Sequence, residues 1–255
     1  MKIAAIIPAR LKSTRFPNKI LLPIHGLPMI EHVRRRALMC PILSEVVVAT
    51  CDEDIAVVVR ANGGRVIMTS DSHLNVTTRI AEAITKIDCS HALLLQGDEP
   101  LLLPRHVEAL AQAIVAEPEI DTWNLIGALD SQDELDRHSF VKCAITLPHE
   151  IMYCFRRSPH FSDFATQKTF VRKMLGIMAY RKDFLFKLTN LPASPIEIAE
   201  SIEQMRIIEN GFGLSYVEVA PALPSINEPG EIQEVLDCLA GDSEQQSLIQ
   251  AITAL

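Results

Sequence analysis

Four cations, Arg10, Lys12, Arg15 and Lys19, fall within a stretch of ten residues and flank two hydroxyls, Ser13 and Thr14. Cationic side chains beside hydroxyls and backbone N–H groups make an anion cradle. Arg grips a phosphate through two hydrogen bonds, and Lys acts as a point charge. A solvated basic loop is the competing reading. The cradle is favoured by the apolar run Ile3–Ile7 just upstream, because ligands of parallel α/β sheets sit at the carboxyl ends of strands. A second segment, Gln96-Gly97-Asp98-Glu99-Pro100, follows another apolar run, His91–Leu95. Asp98 there can hold Mg²⁺ against phosphates, since that ion needs one or two carboxylates with water and phosphate oxygens completing its shell. An acidic turn bent at Gly97 and ended by Pro100 fits the same residues equally well.

Two further segments are more ambiguous. In Thr69–Arg79, Asp71, Ser72, His73 and Asn75 precede a helix that opens at Val76 or Thr77, with Arg79 in its first turn. A cation near a helix N-terminus opposes the helix dipole, which gives Arg79 a reason to face a ligand. A capped helix with a surface Arg is as good a reading. In Glu200–Arg206, Glu203 and Gln204 could face a polyhydroxylated molecule. On the residues alone, an exposed helix face with Glu203 and Arg206 paired at i, i+3 is favoured.

The elements that must position these residues alternate. Strands are expected at Ile3–Ile7, Glu45–Thr50, Arg65–Met68 and His91–Leu95. Helices are expected at Pro28–Met39, Glu53–Ala61, Thr77–Ile87 and Pro104–Ala116. This β-α-β-α order implies a parallel sheet covered by helices. The second half is less regular. Val141–Leu147 and Ile151–Phe155 read as a hairpin, Ser158–Lys173 as a mobile loop, and Leu175–Tyr180 and Leu214–Val219 as strands. Helices are expected at Lys182–Leu188, Ile196–Asn210 and Glu228–Leu239, the last capped by Asn227.

The chain has 255 residues, enough for one large domain. Lys and Arg number 24 against 32 Asp and Glu, a formal charge of −8, which argues against a general nucleic-acid binder. Only 10 residues are glycine, and neither G-x-G-x-x-G nor G-x-x-x-x-G-K-[ST] occurs. Any nucleotide is therefore bound without those loops. No apolar run approaches the roughly 18 residues of a membrane span. The N-terminal run meets Pro8 and Arg10 too early for a signal peptide. The six cysteines have no C-x-x-C spacing and read as free thiols of a reducing cytoplasm.

In this order the four segments resemble the CMP-Kdo synthetase family, Kdo being 3-deoxy-D-manno-octulosonate, an acidic sugar of lipopolysaccharide. The resemblance runs from Ile3 to Leu239. It is carried by IPARLKSTRFPNK, MIEHVRRRA, VVVATCDED, GGRVIMTS, LLLQGDEP, LGIMAYR and ESIEQMR. It implies a three-layer α/β/α nucleotide-diphospho-sugar transferase fold with a mainly parallel central sheet and a small inserted dimerisation lobe. It also implies one cytidylyltransferase domain over 1–255, with a CTP-binding half (1–125) and an acceptor-binding and dimerisation half (126–255). By resemblance, Arg10, Ser13, Arg15, Lys19, Thr50, Asp71 and Gln96 bind CTP, and Arg10, Lys19 and Asp98 are catalytic. Asp98 and Asn227 are the Mg²⁺ positions, and Arg79, Met174, Met178, Glu203 and Gln204 line the acceptor pocket. The implied partners are CTP, a small acidic acceptor and a second copy of the chain, joined through Val141–Phe155.

The chain departs from the family pattern at identifiable places. Asn18 replaces a glycine of the N-terminal loop, and Asn tolerates the left-handed conformation. Asn75-Val76-Thr77-Thr78-Arg79 replaces S-G-T-E-R, losing a glycine and a carboxylate. Met178 replaces a Tyr, Met174 a His, and Asn227 a metal-binding Asp. The nucleotide side is thus nearly intact and the acceptor side altered. A Kdo-like 3-deoxy sugar acid is expected as acceptor, either a modified one such as an 8-amino form or, since Arg79, Glu203 and Gln204 persist, Kdo itself, with an alkylphosphonate as an alternative. A weakened CTP-binding homologue is the other alternative.

Overall fold

The computed structural model describes residues 1–12 and 16–254. Ser13, Thr14 and Arg15 of the basic loop lie outside the described residues. In chain order the elements are β1 (Ile3–Ala9), β2 (Pro23–Ile24), β3 (Leu27–Pro28), α1 (Met29–Leu38), β4 (Glu45–Thr50), α2 (Glu53–Ala61), β5 (Arg65–Met68), α3 (Val76–Ile84), β6 (His91–Leu95) and α4 (Pro104–Ala116). There follow β7 (Thr122–Gly127), α5 (Gln132–Asp136), β8 (Lys142–Ile145), β9 (Ile151–Phe155), α6 (Phe164–Gln167), β10 (Val171–Arg181), α7 (Lys182–Thr189), α8 (Pro195–Glu200), α9 (Gln204–Glu209), β11 (Ser215–Glu218), α10 (Ile232–Gly241) and α11 (Ser243–Thr253). Two compact units divide the chain. One comprises residues 1–112 and 223–255, and the other residues 113–222.

The first unit is built on the expected parallel sheet, in the order β6-β1-β4-β5. Register pairs Ile6 with Val47 and Leu94, so the strands carrying the candidate loops end side by side. β1, β6 and all but the first residue of β4 are buried, which explains their unbroken apolar runs. Six elements, at Glu45–Thr50, Glu53–Ala61, Arg65–Met68, His91–Leu95, Pro104–Ala116 and Ile151–Phe155, have the bounds expected from sequence. Among described residues, no helix is long and apolar enough to cross a membrane. The six cysteines are free.

The second unit carries β7 between β10 (antiparallel) and β11 (parallel), and the hairpin β8–β9 hangs on β10. Leu129, Leu135, Ala144, Phe155 and Val171 form a small core there. Three expectations need correction. The segment 158–173 is not a plain loop but holds α6, capped by Asp163, and the first residues of β10. The single helix expected at 196–210 is two, because Ser201 takes φ 54° and ends α8 before α9 begins. Asn227 does not cap the last long helix. A 3₁₀ turn, Pro229–Glu231, precedes α10, and its cap is Glu228, which forms a capping box with Glu231.

Candidate functional site

The loop after β1 is folded back on itself. Leu11 N–H donates to Asp52 Oδ2 at 2.8 Å, and Asn18 N–H donates to Leu11 O at 3.0 Å. Asn18 takes φ 60°, the left-handed conformation expected of it. The 3₁₀ turn that follows buries Lys19, while Arg10 stays exposed.

Lys19 is the centre of the site. Its Nζ donates to Asp98 Oδ2 at 2.5 Å and to Ile226 O at 3.1 Å. Three segments distant in sequence therefore meet at one ammonium group. Gly97 makes the approach possible. A Cβ at Gly97 would lie 3.0 Å from Ile20 Cδ1 and 3.4 Å from Pro8 O. Ile226 N–H in turn donates to Asp98 O at 3.0 Å, lacing the returning C-terminal segment to the Asp98 loop. Asn227 comes next in the chain, half-buried, with Nδ2 donating to Ser225 Oγ at 3.0 Å. Its N–H donates to Glu231 Oε2 at 2.6 Å.

The donors here suit Mg²⁺. They are hard oxygens, a carboxylate at Asp98 and an amide at Asn227, on adjoining segments. Among the described residues no group of three His, Cys, Asp or Glu side chains could cage a metal.

The other nucleotide-side residues take different positions. Thr50 is fully buried, and its Oγ1 accepts the Asp52 N–H at 3.0 Å, so it shapes the turn that holds Leu11. Gln96 is half-buried at the end of β6, and Asp71 is exposed beyond β5. Arg79 is only 3% exposed, and its Nη1 donates to Thr69 Oγ1 at 2.6 Å and to Ser70 O at 3.2 Å. These bonds give its place in the first turn of α3 a local reason: the guanidinium braces the end of β5. Glu82 completes that brace by accepting from Ser70 N–H at 2.9 Å and pairing with His73 Nε2 at 2.6 Å. The Ser70 N–H holds the Glu82 carboxyl below its usual range, burial opposes this, and His73 adds to it. The N-cap of α3 is Asn75, whose Oδ1 accepts the Thr78 N–H at 2.9 Å.

In the second unit, Gln204 Nε2 donates to Asn124 Oδ1 at 3.1 Å and contacts Met178 Sδ at 3.3 Å. Tyr180 Oη also contacts Met178 Sδ, at 3.3 Å. Two of the expected acceptor residues, Met178 and Gln204, are thus brought together, beside a bulge where β10 loses register with β7 between Met174 and Met178. Met174 pairs with Ile126 across the strands and is largely buried. Sequence reasoning missed Asn124, a fully buried polar residue within an apolar strand, whose Nδ2 donates to Leu125 O and Leu175 O. Glu203 is half-buried at the start of α9. Glu203 still acts on Arg206 through its charge, as expected of an i, i+3 pair, but a second carboxylate holds the guanidinium. Arg206 grips Glu197 through two bonds of 2.8 and 2.6 Å, because the break at Ser201 folds α8 beside α9.

Comparison with known proteins identifies the family. The family model described as cytidylyltransferase matches residues 4–218. A 3-deoxy-manno-octulosonate cytidylyltransferase of Geobacter metallireducens is 38% identical over 251 residues, covering 94% of this chain and 98% of that protein. One from Escherichia coli is 38% identical over 239 residues, covering 94% and 96%. The solved structure of CMP:2-keto-3-deoxy-manno-octonic acid synthetase complexed with CTP superposes with a TM-score of 0.87 at 37% identity, covering 94% of this chain and 99% of that one. The architecture is accordingly the α/β fold of nucleotidyltransferases, and the chain belongs to the cytidylyltransferase family, among the 3-deoxy-manno-octulosonate cytidylyltransferases.

Proposed function

We propose that the protein transfers CMP from CTP to a Kdo-like 3-deoxy sugar acid and releases pyrophosphate. The observation that carries this reading is Lys19, buried and bonded at once to Asp98 and to the backbone beside Asn227. In the reaction an acceptor oxygen attacks the α-phosphorus of CTP. A new P–O bond forms as the bond from the α-phosphorus to the bridging oxygen breaks, and the acceptor hydroxyl loses its proton. Such a transfer needs alignment and charge neutralisation more than covalent help. Asp98, with Asn227 next to Ile226 in the adjoining segment, would hold Mg²⁺, which would supply charge neutralisation on the phosphates. Arg10 and Lys19 receive the charge that develops on the leaving pyrophosphate, with Lys19 exchanging its Asp98 contact for a phosphate oxygen. Ser13 and Arg15 complete the phosphate grip. Gln96 and Asp71 face the nucleoside, with Thr50 shaping the turn beneath.

In the second unit the acceptor is read by Gln204, Met178, Met174 and Glu203, and in the first Arg79 keeps the loop after β5 in shape. The division into a CTP-binding half, 1–125, and an acceptor half, 126–255, belongs to this proposal. So does a homodimer through the β8–β9 hairpin, which leaves Leu147 97% and Met152 57% exposed. Exposed apolar side chains of this kind favour a protein cover. Free thiols and a CTP-dependent reaction support a cytoplasmic enzyme.

A second reading is favoured by the same acceptor residues. A thioether at Met178 and the bracing bonds of Arg79 suit an altered acceptor, such as an alkylphosphonate, or a CTP-binding protein of low turnover. Pyrophosphate release measured with Kdo, its 8-amino form and alkylphosphonates separates these readings.

A further inference from the structure

α11 lies beyond residue 218, where the family match ends, and beyond Leu239, the last residue of the sequence resemblance. Its fixings are specific. Arg105 on α4 forms a two-pronged pair with Glu244, at 2.9 and 3.0 Å. At the other end of α11, Arg35 on α1 donates to Ile252 O at 2.6 Å. Between them, Gln245 is fully buried, with its Nε2 donating to Leu101 O at 3.0 Å. The neighbouring carbonyl, Leu102 O, accepts from Arg36 Nη1 at 3.1 Å, and Arg36 is also fully buried.

Those two carbonyls belong to the segment that leaves Asp98. Glu99 N–H donates to Gln96 O at 3.4 Å and Leu102 N–H to Glu99 O at 3.0 Å, so two consecutive turns run from Gln96 through Asp98 to Leu102. From the side of the substrate, these turns are held by Lys19 and Ile226; from behind, they are held by Gln245 and Arg36.

The fixing at the back is made by groups that are expensive to bury. Arg36 Nε and Nη2 and Gln245 Oε1 have no hydrogen-bond partner. Burial draws the Arg36 pKa down to about 10, with Glu244 opposing. A buried polar group left incompletely bonded destabilises the fold. An apolar pair would pack α11 at lower cost. What Gln245 and Arg36 do that apolar residues cannot is donate to two successive carbonyls of the Asp98 turn.

We propose that Gln245 and Arg36 are positioning residues, and that α11 is a C-terminal strap holding the Asp98 turn in the geometry that receives the metal–phosphate unit. This inference rests on the reading of Asp98 given above. It assigns a role in turnover to a helix that the family match does not reach.

The test uses the full-length protein with Gln245→Met, which keeps the side-chain length and apolar packing but cannot donate to Leu101 O. Gln245→Leu also cannot donate, and it serves if the first variant folds poorly. Ser247→Ala, on the exposed face of α11, is the control. Amide hydrogen exchange of residues 97–103 is read without ligand, and the half-saturating Mg²⁺ concentration is read in turnover.

With Gln245→Met we expect exchange in that segment to quicken and the half-saturating Mg²⁺ to rise about fivefold, the effect of one hydrogen bond, with Ser247→Ala unmoved. A merely structural role would lower the melting temperature and the active fraction without moving the Mg²⁺ dependence. Wild-type exchange and Mg²⁺ dependence in both Gln245 variants would overturn the positioning role alone, provided Asp98→Asn is inactive. Full activity in Asp98→Asn would overturn the site reading and the positioning role together.

Discussion

Lys19 Nζ lies 2.5 Å from Asp98 Oδ2, although 79 residues separate the two in sequence. Both side chains are mostly buried, at 9% and 17% exposure. The pair therefore joins the loop after β1 to the Asp98 turn. A nucleotide that brings its own negative charge and a divalent cation can exchange partners with both members at once.

In the proposed mechanism Lys19 is a cation that acts as charge moves onto pyrophosphate. Lys19→Ala is expected to lower kcat by roughly 10²–10³, measured by pyrophosphate release at saturating CTP. A rate within a factor of three of wild type would remove Lys19 from the mechanism.

Asn227 offers an amide oxygen where a carboxylate would bind a cation more strongly. Asn227→Asp is expected to lower the half-saturating Mg²⁺ concentration, and Asp98→Asn to abolish turnover. A titration of activity against Mg²⁺ checks both. An unshifted curve for Asn227→Asp would place that residue outside the metal's reach.

Gln204 bonds to Asn124 and contacts Met178, so the three side chains set one polar surface in the second unit. Gln204→Ala is expected to raise the KM for the acceptor about tenfold, roughly the effect of one buried hydrogen bond left unpaired, while the KM for CTP stays put. Met178→Tyr is expected to change the ranking of acceptors. Equal shifts in both KM values would contradict the assignment to the acceptor.

His32 provides a pH-dependent stability test away from the chemistry. It is fully buried in α1, with Nε2 2.7 Å from Ile24 O and Nδ1 unpartnered. Burial draws its pKa down from 6.5 to about 4, the Ile24 bond opposing and nearby cations adding. The folded-state value lies below the unfolded one, so between these two pH values the unfolded chain binds more protons and stability falls as pH falls. This residue is expected to contribute a loss of about 3 kcal/mol from pH 6.5 to 4. Urea unfolding of wild type and His32→Gln at several pH values measures it. Identical slopes would show that His32 does not carry the effect.

The parallel sheet of the first unit was legible because strands buried on both faces have unbroken apolar runs. Asn18 was legible for a related reason, since a short polar side chain suits a left-handed turn. β7 was not. It begins at Thr122, carries Asn124 in its centre, and becomes a buried strand only because Leu125 O and Leu175 O satisfy that amide. α11 escaped notice because a polar residue, Gln245, holds a core position ahead of Leu248 and Ile252. The Lys19–Asp98 meeting follows from two loops at the ends of β1 and β6, neighbours in a parallel sheet. The bonds of Arg79 and Arg206 depend on carbonyl and carboxylate partners that only the folded chain brings within reach.

The central claim is that this site moves CMP from CTP to an acidic acceptor. Its most direct test is the purified protein with CTP, Mg²⁺ and a panel of Kdo, 8-amino Kdo and alkylphosphonates, followed by pyrophosphate release and mass analysis of the CMP adduct. The account predicts stoichiometric pyrophosphate and a CMP-linked sugar acid with a Kdo-like member of the panel. Confirmed CTP binding with no turnover on any acceptor would contradict it.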